Sequence, residues 1–259
     1  MKNFYFISDA HLGSLALQHT RTQERRLVNF LDAIKDKAEA VYMLGDMFDF
    51  WFEYKTVVPK GFTRFLGKVS ELTDRGVEVH FFLGNHDMWV GDYLQKECGV
   101  TIHRGPLTTE ICGKEFYMAH GHDVSAKQDG MATRLLFKCF ESKALYALAR
   151  TIHPRWFVSL GRNWAKHSRL KREGGAEPPY QGEDKEGLVL FAKDYLQSHP
   201  NINFFLFGHR HIQVDVPLNA DRSARLLVLG DWISQFTYAV FDGENMFLEN
   251  YVEGETKFS

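Results

Sequence analysis

The sequence of 259 residues contains only three cysteines, and no two of them have the C-x-x-C spacing. Scattered thiols in odd number argue against a disulfide framework and a zinc knuckle, and they favour a reducing compartment. The chain also lacks any stretch near the roughly 20 apolar residues that span a bilayer. Its short apolar N-terminal run is interrupted by Asp9 and His11, which is unlike a signal peptide. We therefore expect a cytoplasmic protein, with attachment to a membrane surface left open.

The overall charge excludes few partners, because it is only −2. A hydrophobic content of 44% and a charged content of 25% are ordinary for a soluble globular protein. The length suits one large α/β domain that carries an insertion. The sequence contains no internal repeat and no low-complexity segment.

Charge is nevertheless unevenly distributed along the chain. Residues 125–172, called the basic segment below, contain eleven Lys or Arg and two acids, so that their local charge is +9 and the remainder carries −11. Long apolar residues are interleaved with the bases, which predicts helices with an apolar and a basic face. Such helices could bind an anionic membrane surface and lipid phosphate, or a nucleic-acid backbone. The clustered apolar side chains favour lipid.

Hydrophobic periodicity predicts strands that alternate with helices early in the chain and dominate later. The predicted helices lie near 21–36, 61–74, 91–98 and 183–198. The predicted strands lie near 3–8, 40–44, 77–83, 100–103, 107–112, 115–119, 203–207, 212–217, 225–230, 235–241 and 246–251. This order predicts an α/β fold with two packed sheets flanked by helices.

Five strand-like runs end in Asp, His or Asn, usually beside a glycine. In open α/β sheets, ligands bind at the carboxyl ends of the strands, so side chains placed there are expected to meet. The candidate metal ligands at these ends are Asp9, His11, Asp46, Asn85, His120, His209 and His211. Oxygen and imidazole donors without thiolate suit Mn, Fe or Zn. Seven ligands are too many for one ion and suit two, with one carboxylate between them, which predicts hydrolysis of a phosphate ester or anhydride.

The order of these motifs resembles the calcineurin-like metallophosphoesterase superfamily. Its series D-x-H, G-D-x-x-D, G-N-H-D, H and G-H-x-H corresponds here to Asp9-Ala10-His11, Gly45-Asp46-Met47-Phe48-Asp49, Gly84-Asn85-His86-Asp87, His120 and Gly208-His209-Arg210-His211. The resemblance implies a four-layer α/β/β/α sandwich. It also implies one metal held by Asp9, His11, Asp46 and His211, and another held by Asp46, Asn85, His120 and His209. His86 would contact the phosphoryl group or the leaving oxygen, with Asp87 orienting it.

Within the superfamily, the chain is most similar to the UDP-2,3-diacylglucosamine hydrolases of lipid A synthesis. Ser8-Asp9-Ala10-His11-Leu12, the extension of the second motif to Phe50-Trp51, His120-Gly121 followed by Asp129, and the insertion after it carry this similarity. The similarity implies cleavage of a UDP-linked acylated glucosamine lipid to UMP and 2,3-diacylglucosamine 1-phosphate, with Mn²⁺ as the usual metal. It also implies a peripheral protein on the inner membrane, without a nucleic-acid partner. Residues 125–172 would form a helical cap on a core of residues 1–124 and 173–259.

Two positions depart from that family. His86 stands where its better-known members have Arg, and His120-Gly121-His122-Asp123 stands where they have His-Gly-Asp. The substrate contacts implied by the similarity are Asn85, His86, Asp129, Arg162, Asn163, Ser168 and His209. Two alternatives remain open: a metallophosphoesterase acting on a soluble nucleotide, cyclic nucleotide or nucleic-acid phosphodiester, and a scaffold without activity. A complete set of metal ligands argues against the scaffold.

Overall fold

The computed structural model describes residues 2–128, 135, 138–140, 142–174 and 179–253. The helices are α1 (Thr20–Ile34), α2 (Thr63–Asp74), α3 (Tyr93–Cys98), α4 (His122–Gln128), α5 (Lys143–Ala149), α6 (Pro154–Gly174) and α7 (Gly187–Ser198). The strands are β1 (Asn3–Ile7), β2 (Ala38–Met43), β3 (Glu78–Phe82), β4 (Thr101–His103), β5 (Leu107–Ile111), β6 (Lys114–Ala119), β7 (Ile202–Phe207), β8 (Gln213–Pro217), β9 (Arg225–Leu229), β10 (Thr237–Phe241) and β11 (Met246–Asn250). Each predicted strand has a counterpart.

The strands form two sheets whose central strands are parallel. The first sheet has the order β11-β10-β1-β2-β3-β4, and the second has the order β5-β6-β7-β9-β8. Strands β1 to β4 are mutually parallel, as are β6, β7 and β9, whereas the outer strands β5 and β8 pair antiparallel. Within each sheet, the carboxyl ends of the parallel strands therefore lie at one edge, where the predicted motifs follow them.

Successive side chains of a strand point to opposite faces of its sheet, and this alternation explains how the sheets and helices form layers. On β1, Tyr5 and Ile7 pack with helices on the outer face of the first sheet, whereas Phe6 packs in the core between the sheets. On β7, Phe205 and Phe207 face a third core that includes residues of α7. Helix α1 contributes Leu27, Phe30, Leu31 and Ile34 to the first core, at the i, i+3, i+4, i+7 spacing of one helix face. The predicted arrangement of two packed sheets flanked by helices is confirmed.

The basic segment contains helices, as predicted, and they pack on the loop after β2. Phe50, Phe52 and Tyr54 of that loop form a separate apolar cluster with Ala149 of α5. A Cβ atom at Gly161 of α6 would overlap the ring of Phe50, so glycine permits the close approach of helix and loop. Among the helices in the described ranges, none is both long and apolar enough to cross a bilayer.

Candidate metal centre

The predicted ligands sit on sharply turned backbone directly after the strands. Asp9, His11, Asp46, His209 and His211 have φ values of 55°, 43°, 53°, 69° and 50°. These values lie in the left-handed region, which is uncommon for non-glycine residues and costs about 1–3 kcal/mol each. Such strain clusters at functional sites, because the surrounding structure must hold it. Here it turns the chain after β1, β2 and β7 towards one centre.

Asp9, His11 and His211 form one cluster, in which one donor atom from each lies within 4.8 Å of the others. Nε2 of His211 is 3.3 Å from Oδ1 of Asp9, and Nε2 of His11 is 3.7 Å from the same oxygen. Oδ1 of Asp9 and Nε2 of His11 are buried and make no hydrogen bond within the described part of the chain. A buried carboxylate oxygen and a buried imidazole nitrogen that face each other without a hydrogen bond fit a cation site.

Asp46, His120 and His209 form the second cluster. Nε2 of His120 lies 3.3 Å from Oδ2 of Asp46 and 3.3 Å from Oδ1 of Asn85. Oδ2 of Asp46 is also 3.6 Å from Nε2 of His11 in the first cluster. Asp46 therefore touches both clusters, which is the position expected of a bridging carboxylate. The seven predicted ligands are brought together, and they offer oxygen and nitrogen donors that fit a pair of divalent ions.

The carboxylates of the clusters are charged at neutral pH. Burial raises the pKa of Asp9, but His211 and the other imidazoles outweigh it and hold the pKa well below its usual value. The same balance, with His120 foremost among the imidazoles, lowers the pKa of Asp46. Burial lowers the pKa of His120, but Asp46 prevails and raises it to about 9. Asp46 and His120 form an ion pair, and a metal ion that bound Nε2 of His120 would have to displace this proton.

His86 lies beside the clusters, with its ring centroid 4.7 Å from that of His11. Nδ1 of His86 is 2.8 Å from the backbone oxygen of Asp49. A carbonyl oxygen only accepts, so Nδ1 carries the hydrogen. Burial lowers the pKa of His86 to about 4, and its ring is neutral at physiological pH.

Asp87 accepts hydrogen bonds from the backbone of two neighbouring loops. Its carboxylate accepts backbone N–H groups of Gly84 (2.7 Å), Met47 (2.9 Å) and, at 3.4 Å, Asp46 and Phe48. The ring of His86 itself contacts Asp49 O through Nδ1, and the orienting role expected of Asp87 stays a prediction. Burial, followed by the Asp46 carboxylate, raises the pKa of Asp87 to about 7. Asp87 ties the loop of Asp46 to the loop of Asn85.

In three histidines of the clusters, Nδ1 lies near an oxygen atom of another residue. Nδ1 of His11 lies 3.4 Å from Oδ1 of Asp49, and Nδ1 of His120 lies 2.8 Å from the backbone oxygen of Leu44. Nδ1 of His211 lies 3.7 Å from Oδ2 of Asp231. Sequence reasoning missed Asp231. A signal was present, because Leu229-Gly230-Asp231 repeats the strand–glycine–aspartate pattern of Leu44-Gly45-Asp46.

His122 and Arg210 stand next to the second cluster. The ring centroid of His122 is 5.5 Å from that of His120 and 6.3 Å from that of His209. Arg210, between the two histidines of its motif, donates Nε to Oε1 of Glu186 at 2.9 Å and Nη2 to Oε2 at 3.2 Å. Since Glu186 is only 4% exposed, this bidentate pair fixes the loop that carries His209 and His211.

A cavity of about 730 Å³ is lined by Leu12 and Gly13, which follow His11 in the chain, whereas none of the seven predicted metal ligands lines it. The loop of Phe50 and Phe52 and the first turns of α6 form part of its wall. Four cationic side chains also line it: Arg21, Lys60, Arg155 and Arg162. Of the predicted substrate contacts, Arg162 lines this cavity and donates Nη2 to the backbone oxygen of Gly13 at 3.2 Å. Asn163 is exposed on α6. Ser168 is also on α6, where its side chain is not described, and Asp129 lies outside the described residues.

Residues 2–213 match the family described as calcineurin-like phosphoesterase. A UDP-2,3-diacylglucosamine hydrolase from Porphyromonas gingivalis is 45% identical to this chain, over 97% of this chain and 98% of its own length. A protein of the same name from Haemophilus influenzae (strain PittGG) is 24% identical, over 90% of this chain and 91% of its own length. A dimetal phosphatase from Danio rerio is similar in structure with 14% identity and a TM-score of 0.47, over 96% of this chain and 95% of that one, which is too distant to bear on function. The family match covers most of the sequence and includes every predicted ligand, so the chain belongs to the calcineurin-like phosphoesterase family.

Proposed function

We propose that this protein hydrolyses the pyrophosphate bond of UDP-2,3-diacylglucosamine, with water as the second reactant and UMP and 2,3-diacylglucosamine 1-phosphate as products, in lipid A biosynthesis. The observation that carries this proposal is the 45% identity, over nearly the whole of both chains, with a protein of that name. The cavity lined by Leu12 and Gly13 supports it, because its apolar wall and its four cationic residues suit an acylated, phosphorylated substrate.

The proposed metal ligands follow the two clusters. Asp9, His11, Asp46 and His211 would hold one ion, and Asp46, Asn85, His120 and His209 would hold the other. When bound, such a pair polarises the phosphoryl group and lowers the pKa of the attacking water. We propose Mn²⁺ as the physiological metal. Fe and Zn accept the same donors, so metal content has to be measured.

His86 is proposed to act on the substrate through Nε2, because Nδ1 donates to Asp49 O. In the free protein, Nε2 is an unprotonated acceptor. The negative charge of a bound pyrophosphate favours the protonated ring, which can then donate to the phosphoryl group or the leaving oxygen. Asn85 and His209, which lie in the second cluster, would contact the same phosphate. Asp87 contributes by holding the loop rather than by touching the substrate.

The basic segment is proposed to cap the site and to hold the acyl chains in the cavity. Tyr146 of α5 donates its hydroxyl to the backbone oxygen of Glu53 at 2.8 Å, and Nε1 of Trp89 donates to the backbone oxygen of Phe140 at 2.9 Å. These bonds join the segment to loops that carry the metal ligands. Phe50, Phe52 and Val158 supply apolar wall, and Arg162 is placed to meet phosphate.

The cap also presents apolar side chains to solvent, which supports a membrane partner. Leu148, Ile152, Trp156 and Leu160 are 63%, 41%, 71% and 68% exposed. Exposed tryptophan and leucine beside arginines are typical of surfaces that enter the headgroup region of an anionic bilayer. We propose peripheral attachment to the cytoplasmic side of the inner membrane, where a lipid substrate would be collected.

The test is hydrolysis of UDP-2,3-diacylglucosamine in detergent with Mn²⁺, following release of UMP. We expect UMP release that stops when a chelator is added. Turnover of a small phosphodiester without UMP release would reject this substrate and favour a soluble nucleotide substrate. His86→Gln retains a polar side chain but cannot donate as imidazolium, and a loss of about 10²–10⁴-fold in kcat is expected. His199→Gln, at an exposed histidine directly after α7, is the matched control and should keep wild-type turnover.

A further inference from the structure

Asp231 contacts a metal-ligand candidate from outside all the recognised motifs. It lies beyond residue 213, where the family match ends. Its Oδ2 faces Nδ1 of His211 at 3.7 Å, while Nε2 of the same ring faces Oδ1 of Asp9 at 3.3 Å. The imidazole of His211 is therefore placed between the cluster on one side and Asp231 on the other.

The Asp231 carboxylate is itself held rigidly. It is 4% exposed, and its Oδ1 accepts the backbone N–H groups of Ile233, Ser234 and Gln235 at 2.9, 2.7 and 3.1 Å. The amide Nε2 of Gln235 donates both to Oδ2 of Asp231 at 3.1 Å and to the backbone oxygen of His211 at 2.5 Å. The turn from 231 to 235 thus holds the acid and the histidine in one network.

The same turn also reaches the second ligand of that cluster. The backbone N–H of Trp232 donates to the backbone oxygen of Asp9 at 3.1 Å. Gln23 of α1 donates Nε2 to the backbone oxygens of Ala10 and Trp232, at 2.5 and 3.0 Å. Asp9 and His211, from the two different sheets, are therefore positioned by one short turn.

We propose that Asp231 is a positioning residue that sets the tautomer and ring orientation of His211 for metal binding. The Asp231 carboxylate, 3.7 Å from Nδ1 of His211, favours the tautomer with the hydrogen on that nitrogen, which leaves the lone pair of Nε2 facing the cluster. Outer carboxylates of this kind typically contribute 10–100-fold to metal affinity. The inference rests on the metal centre put forward under the proposed function, and it adds a residue that the motif series does not contain.

The first experiment is titration of the metal-free protein with Mn²⁺ by calorimetry, for the wild type and Asp231→Asn. Asparagine keeps one oxygen for the three backbone N–H groups and replaces the other by an NH₂ group that cannot accept from His211. We expect one of two binding sites to weaken by about 10–100-fold, with the other unchanged. Gln235→Ala, which removes the amide that joins Asp231 to the His211 backbone, is expected to weaken the same site less.

Asp242→Asn is the matched control. Its Oδ1 accepts the backbone N–H groups of Glu244 and Asn245 at 2.9 and 2.7 Å in the turn at the opposite end of β10. We expect this variant to bind Mn²⁺ like the wild type. The thermal unfolding midpoints of metal-free Asp231→Asn and Asp242→Asn are expected to agree, because both keep the turn.

A double-mutant cycle separates positioning from a purely structural role. If Asp231 acts through His211, Asp231→Asn has no further effect on Mn²⁺ affinity in a His211→Ala background. Equal losses in both backgrounds, or wild-type affinity in Asp231→Asn, would overturn the proposal. A wild-type protein that bound no Mn²⁺ would refute the metal centre itself. Equal Mn²⁺ affinity of the wild type and Asp231→Asn would refute only the role of Asp231.

Discussion

At the scale of single residues, His80 and His103 form a pair whose charge state affects stability. Nδ1 of His80 lies 3.0 Å from Nε2 of His103, and the His80 ring stacks on Tyr42 with 4.4 Å between centroids. Burial lowers the pKa of His80, partly opposed by Glu78. Burial, together with His80, also lowers the pKa of His103. Two protonated rings would place like charges in contact.

We predict that this pair makes the protein less stable as the pH falls below about 6.5. Each histidine has a lower pKa in the folded protein than in the unfolded chain. Above the unfolded pKa both states are neutral and the folded protein keeps its full stability. As the pH falls towards the folded pKa, the unfolded chain takes up the proton first, and stability is lost. His80→Phe keeps the ring stack on Tyr42 but cannot titrate. Urea unfolding with chelator at pH 7.5 and pH 5.5 should show a smaller loss for this variant than for the wild type.

His199→Phe is the control for that comparison, since His199 also stacks on a tyrosine, Tyr195, at 4.1 Å but is exposed. It should lose as much stability as the wild type. An equal pH dependence of all three proteins would show that the pair does not contribute.

The sequence predicted which polar residues meet but not all of their contacts. Asp9, Asp46 and His120 could be placed at one centre because each directly follows a parallel strand. Asp231 was missed because a single carboxylate after a strand is common, and its partner His211 becomes apparent only in the fold. The orientation of His86 by a backbone oxygen likewise leaves no trace in residue types.

At the scale of elements, the contact of α6 with the loop of Phe50 determines how closely this helix of the basic segment approaches the loop. Gly161 faces the Phe50 ring, where no Cβ fits, whereas Gly67 of α2 has no atom within 4 Å of a Cβ built there. The strands were predictable because alternation records which face is buried, and helix α1 because its apolar spacing does so. The packing of the basic segment was not predictable, because its amphipathic helices could pack in several ways.

Gly161→Ala is predicted to raise KM for the diacylated substrate several-fold and to leave hydrolysis of a small phosphodiester nearly unchanged. The added methyl group has to displace α6 or Phe50, which reshapes the cavity and not the metal ligands. Steady-state kinetics on both substrates measures this. Gly67→Ala is the control, because it makes the same change at an open helix position. It should leave the kinetics on both substrates unchanged and should raise the free energy of unfolding by about 1 kcal/mol.

Equal losses on both substrates by Gly161→Ala would mean that the contact supports the fold as a whole, and the role proposed for the cap would fail.

At the scale of the whole molecule, charge and apolar exposure coincide on the basic segment. The segment carries +9 in a chain of net −2. Its described helices also expose Trp156 and Leu160, separated by one helical turn. We propose that this asymmetry orients the molecule towards a negative surface, where an anionic leaflet attracts each basic residue by about 1 kcal/mol.

The double variant Trp156→Ser/Leu160→Ser is predicted to bind vesicles containing phosphatidylglycerol at least ten-fold more weakly than the wild type, because both side chains lose their burial in the bilayer. Vesicle co-sedimentation measures the binding. Leu190→Ser, which changes a 42% exposed leucine on α7, is the control and should bind normally. Undiminished binding by the double variant would place the membrane surface elsewhere.

The central claim is that Asp46 joins two metal ions in one hydrolytic centre, and metal content measured together with turnover tests it most directly. Apoprotein reconstituted with Mn²⁺ and passed through a desalting column should retain two ions per chain in the wild type. Asp46→Ala should lose both metal retention and hydrolysis, since the variant lacks the ligand shared by the clusters. Asp242→Ala should retain both. An Asp46→Ala protein with two ions and wild-type turnover would contradict the account.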